Sequence, residues 1–174
     1  MTDLKILYEE DTVAWAENQA AALRAAAQGG SNQALDWENL AEEIEDLSKS
    51  IKRAVHSHIR NIIEHLIKLE HSPALQPREN WRESIQNARI EVEFLLDESP
   101  SLKPQLAGVI SREIPRGAKL AIGNLERRGE LSPTLAEILK AKPAPELFAY
   151  TEDQILGDWF PPDPERASRR AKKP

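Results

Sequence analysis

The stretch HSHIRNIIEHLIKLEH, residues 56–71, holds every histidine of the chain: His56, His58, His65 and His71. Imidazoles crowded among glutamates and lysines raise metal ligation and acid-base catalysis as candidate chemistries. Two side chains on one helix reach a single ion only when three or four residues separate them. Successive gaps here are two, seven and six residues. His58 and His65 share a helical face, yet seven residues set them about 10.5 Å apart along the axis. Glu64-His65 and Glu70-His71 are adjacent pairs pointing about 100° apart, unlike the Glu-x-x-His element of di-iron bundles. The spacing favours a structural role, with His58 and His65 partly buried and neutral and His56 and His71 solvated. The functional alternative is a small polar pocket of His58, His65 and Arg89, with Glu64 and Lys68 beside them, that binds an anion or acts on one. No metal and no cofactor are assigned.

The elements that must position these residues are helices. Runs that alternate apolar and polar residues are absent, and no Asn-Gly or Asp-Gly hairpin occurs. A first helix is expected from an Asp11 cap, through the alanine-rich AAALRAAAQ with Trp15, Ala22, Leu23 and Ala26 inward, to a stop at Gly29-Gly30. In the second, apolar or seam positions recur from Trp37 through Leu40, Ile44, Leu47, Ile51 and Val55, then through His58, Ile62 and His65 to Leu69. Steps of three and four residues make this a helical stripe with one stutter, about 50 Å long if it is straight.

Pro73 and Pro77 end it. A third helix is expected from an Asn80 cap with Glu83, carrying Trp81, Ile85, Ala88, Val92 and Leu95. A short loop between helices two and three sets Leu69 near Trp81 and Arg89 near Glu64, where the two make an interhelical ion pair. A fourth helix is expected from a Ser101 cap through Val109 and Ile110, kinked or broken at Pro115 and Gly117. Short helices follow after Ser132-Pro133 and after Thr151, which Gln154 completes as a capping box. The fold class is all-α: a helical bundle with a long central second helix, about four main helices and short C-terminal helices.

From sequence, residues 1–160 are one domain. Residues 161–174 are a disordered basic tail, because this segment has no apolar side chain larger than alanine to repay its ordering. Lys and Arg number 23 against 29 Asp and Glu, a net charge of −6. Five cations lie in RASRRAKKP, so the remainder stands at −11. A nucleic acid is therefore repelled by the body and attracted only by the tail or by a local stripe. Lys49, Arg53, His56 and Arg60 form such a stripe, though a solvated face paired with neighbouring carboxylates explains it more simply. The acidic run from Asp36 to Asp46 suits a helix N-terminus.

The absence of cysteine removes disulfides, thiolate metal sites and cysteine nucleophiles. With an acidic N-terminus and no long apolar run, the chain is expected to be cytoplasmic, with no membrane association. No Walker loop, Gly-x-Ser-x-Gly elbow or zincin motif is present.

YEEDTVAWAENQAAALR, LDWENLAEEIEDL, EHLIKLE, NWRESIQNARIEV and DESPSL, in this order and spacing, resemble the bacterial domain-of-unknown-function family numbered twenty-nine. The resemblance covers about residues 8–155 and implies a small all-helical bacterial protein with no established activity. Its recurring elements fall on Asp36 to Glu38, on Glu42 to Ile44, on His65-Leu66 with Lys68, and on Trp81 and Arg89. No catalytic role comes with them. The chain departs from the family pattern after Ile114, where Pro115 and Gly117 enter a stretch that otherwise reads as continuous helix.

Three function classes are open. The leading one is a non-enzymatic interaction or regulatory module with an unknown protein partner. The others are a nucleic-acid-associated regulator using the tail and the Lys49, Arg53, Arg60 stripe, and a metal-dependent or acid-base enzyme using the seam histidines. Whether the chain is an enzyme stays open at this point.

Overall fold

The structure is a computed structural model that describes residues 4–30, 33–131, 135–138 and 142–162. Its elements are α1 (Leu4–Glu10), α2 (Thr12–Gln28), α3 (Trp37–His71), α4 (Arg78–Glu98), a 3₁₀ segment (Pro100–Gln105), α5 (Leu106–Arg127), α6 (Ala144–Leu147) and α7 (Glu152–Leu156). Among the described residues there is no strand. The long second helix of the sequence is α3, continuous over 35 residues.

By packing, the chain divides into two compact units, Met1–Val55 with Glu93–Gln105 and His56–Val92 with Leu106–Pro174. In the first, Asp11 caps α2 by accepting from the Ala14 N–H at 2.8 Å, and Gly29 follows the last turn. The same carboxylate accepts from the Ser101 N–H at 2.6 Å and from its hydroxyl at 3.0 Å. Ser101 is therefore no helix cap. It lies in the 3₁₀ segment with Pro104, and α5 begins only at Leu106.

Arg24, late in α2, pairs with Glu38 and Glu45 early in α3, while Glu17 pairs with Lys52 further along. These pairs set α2 antiparallel to the first half of α3. On these two helices the buried residues of the pairing are small: Val13, Ala16 and Ala20 on α2, Ala41 and Ser48 on α3. Small side chains allow close approach, and this rotates α3 away from its expected seam. Leu40 and Leu47 end up 41% and 42% exposed.

The second unit holds most of the large buried apolar side chains. Ile59, Ile62, Ile63, Leu66, Ile67 and Leu69 of α3 are fully buried. On α4 the buried line is Trp81, Ile85, Ala88 and Val92. That helix starts at Arg78, directly after Pro77 and two residues before the expected Asn80 cap. The buried Arg78 reaches back to donate to the Leu69 carbonyl at 2.6 Å, satisfying an acceptor that the end of α3 leaves open.

Pro115 does not break α5, which runs unbroken through both interruptions. Pro115 is exposed, as is Ser111 four residues earlier, whose carbonyl loses its helical donor. Gly117 meets α3: a Cβ there would stand 2.8 Å from Ile63 Cγ2 and 3.1 Å from the Arg60 carbonyl oxygen. Thr151 and Gln154 form the expected reciprocal cap on α7. The Ser132-Pro133 start and residues 163–174 of the tail lie outside the described residues. Pro161, placed at the tail's beginning from sequence, is buried.

Candidate functional site

His58 and His65 of α3 are half-buried. His65 Nδ1 donates to the Asn61 carbonyl at 2.9 Å, and burial holds its imidazole below the ordinary histidine range. Its neighbour Glu64 pairs with Lys68 and accepts from the Asn124 side chain at 2.8 Å. Arg89 does not pair with Glu64. Its guanidinium donates to the carbonyls of Ile155 at 2.9 Å, Gln154 at 2.9 Å and Trp159 at 2.7 Å, with the Phe160 ring 4.9 Å away. A planar fork of five donors suits three converging carbonyls, two of them in the last turn of α7, where a helix leaves acceptors open. The five candidates thus separate: Glu64 and Lys68 form a closed pair, while Arg89 ties down the segment after α7.

The two histidines expected in solvent are both partnered. His71 packs edge-on against Phe148 at 5.6 Å, and burial lowers its pKa as it does for His65. Both folded values lie below the unfolded value near 6.5, so their stabilising difference is fully present above that pH and shrinks as pH falls through it. Between about pH 7.5 and about pH 5.5, stability to urea should therefore fall, and less steeply in His65→Gln than in the wild type. Equal slopes in the two proteins would contradict a buried neutral His65.

The basic stripe is engaged by the chain's own groups. Lys49 sits 3.0 Å from Asp46 and 3.5 Å from Glu45, and the Asp46 hydrogen bond first of all raises its pKa. Arg53 Nε donates to the Lys49 carbonyl at 3.2 Å. Arg60 leads to a different centre.

That centre is Glu113 of α5, whose side chain is fully buried. His56 and Arg60, four residues apart on α3, share one face with it, and Arg116 lies one turn on along α5. Glu113 Oε1 accepts from His56 Nδ1 at 2.8 Å and from Arg116 Nη1 at 2.5 Å. Oε2 is buried without a hydrogen bond, and Arg60 Nε stands 3.7 Å off, an ion pair beyond hydrogen-bond reach. A carboxylate behind a histidine fixes which ring nitrogen faces outward, and guanidinium groups beside it bind oxyanions. Sequence reading missed Glu113 and Arg116. The signal was there, since Glu113 continues the series Leu106, Val109, Ile110, Ile114 at helical steps, a charged residue on an apolar face.

Among the described residues no group of three or more His, Asp or Glu side chains is arranged to hold a metal ion. No described helix is long and apolar enough to cross a membrane.

An all-helical chain with a long central helix and no recognisable catalytic motif defines a class by fold alone. Residues 7–160 match the family model described as Domain of unknown function DUF29, and the chain belongs to that family. Among solved structures it is similar to an alpha-helical protein of unknown function from Rhodospirillum rubrum, with a TM-score of 0.64 and 23% identity over 96% of this chain and 98% of that one. The likeness extends to the fold. No curated protein matches the chain.

Proposed function

We propose that this protein is a non-enzymatic interaction module that docks a basic amphipathic helix of a protein partner on the first half of α3. The observation that carries this reading is the Leu40–Leu47 line, exposed at seven-residue spacing while small neighbours fill the interior. Ile44 and Ile51, half-buried, widen it. Seven-residue spacing of leucines matches the knobs of a helix-on-helix seam. Asp36 and Glu43, exposed and set four and three residues from Leu40, border the line with negative charge, so a partner helix flanked by lysine or arginine complements it. A cytoplasmic setting, suggested by the lack of cysteine, belongs to the same reading.

A photo-crosslinking residue in place of Glu43, in the full chain within cells that naturally carry it, tests this. One protein should be captured through a segment with apolar residues three and four apart and surplus basic charge. Leu40→Lys with Leu47→Lys should abolish that adduct while changing stability by no more than about 0.5 kcal/mol per site, since both positions are exposed. Capture of a second copy of this chain, or an adduct indifferent to the double substitution, would overturn the reading.

A further inference from the structure

We propose that the Glu113 cluster is a binding site for a phosphate-class oxyanion, held by Arg60 and Arg116 with His56 beside them. Two arginines surround a single carboxylate, so the cluster carries surplus positive charge even with His56 neutral. Most of their donors are unused. A guanidinium has five N–H groups. Arg116 spends one on Glu113, and Arg60 has no hydrogen bond. Their side chains are 59% and 35% exposed, so the outer edges of both forks reach solvent, and the carboxylate behind is fully buried.

The buried Glu113 carboxylate gathers both guanidinium groups at one place. Buried acceptors in native proteins are nearly always paired. Glu113 Oε2 has no exposed surface for a ligand to touch, and the nearest cation is Arg60, a few tenths of an ångström too far for a hydrogen bond. An oxyanion on the solvent side bridges the outer edges of Arg60 and Arg116, with Glu113 holding both forks from behind. Tetrahedral oxyanions suit it better than carboxylates, because two forks and an imidazole call for at least three acceptor oxygens. Chloride, a single point, cannot bridge both forks.

The test titrates the full chain with inorganic phosphate by calorimetry, sodium chloride holding ionic strength constant. One-site saturation in the range of about 0.1 to 1 mM is expected. Arg60→Gln and Arg116→Gln should each weaken binding about tenfold or more. Arg112→Gln should leave it unchanged, since Arg112 lies on exposed α5 surface and donates to the Gly108 carbonyl. Melting temperatures without phosphate, equal within a few degrees across the variants, separate lost binding from lost folding. Glycerol phosphate in place of inorganic phosphate distinguishes the source. Tighter binding of the ester marks a phosphomonoester ligand, and equal or weaker binding marks free phosphate. No saturable binding up to about 10 mM, or equal weakening by Arg112→Gln, would overturn the proposal. Either outcome leaves the Leu40–Leu47 docking surface untouched.

Discussion

Trp81→Ala should destabilise the protein by about 3 to 5 kcal/mol, measured by urea denaturation. The indole is 7% exposed and heads the buried line of α4, followed by Ile85 at 0%. Trp81 sits in the helix's first turn, where its backbone N–H donates to the Pro77 carbonyl at 3.1 Å. Close by in sequence, the buried Arg78 closes the end of α3. Truncation therefore removes the largest apolar group of this line and leaves a void at the point where the loop after α3 becomes a helix. Trp81→Phe keeps a ring in the site and should lose less. A loss under about 1 kcal/mol from the alanine variant would show that the indole contributes no packing, and would move attention to Trp81 as a surface group.

That line of α4 was legible because large side chains at steps of four and three are what a buried face looks like in sequence. Three of its four steps hold as read. At the end, Leu96 is buried and Leu95 only half so. On the first half of α3 the same rule failed by one position. Periodicity weighs large residues, and Leu40 and Leu47 carry the weight, but the helix presents Ala41 and Ser48 inward, where α2 offers only valine and alanine. Close packing of small residues leaves no hydrophobic signature. The leucines that marked the seam are therefore the ones left outside.

Charge placement was less legible because partners come from distant parts of the chain. Arg89 meets carbonyls 65 to 70 residues away, backbone groups that no side-chain pattern reports. His56 looked like part of a solvated stripe because its partner Glu113 is 57 residues on. The local capping signals were a different matter. Asp11 and Thr151 with Gln154 act within three residues of themselves, and both work as read. Where Asn80 failed, a proline three positions earlier had already set the backbone for a helix start, and α4 took it.

Gly117→Val should cost about 3 kcal/mol, the upper end of ordinary overpacking, although valine is the better helix former. An added Cβ would stand 2.8 Å from Ile63 Cγ2, 3.0 Å from Ile63 Cβ and 3.1 Å from the Arg60 carbonyl oxygen. Ile63 is fully buried and has nowhere to turn, and the carbonyl belongs to the α3 backbone. Relief requires α3 and α5 to separate, loosening the contacts around both. Gly117→Ala isolates the balance. Its gain in helix propensity, about 1 kcal/mol, opposes the clash, so a net loss of about 0 to 2 kcal/mol is expected. Valine adds two methyl groups with a stiff χ1 and cannot reorient away from α3. The sharper measurement combines Gly117→Ala with Ile63→Ala. The isoleucine truncation alone should cost about 2 to 5 kcal/mol by opening a cavity at the place where the new methyl group needs room. In that background Gly117→Ala should become neutral or stabilising, a coupling of about 1 kcal/mol or more. Simple additivity would mean that Gly117 and Ile63 do not touch, and the continuity of α5 past Pro115 would then need another cause.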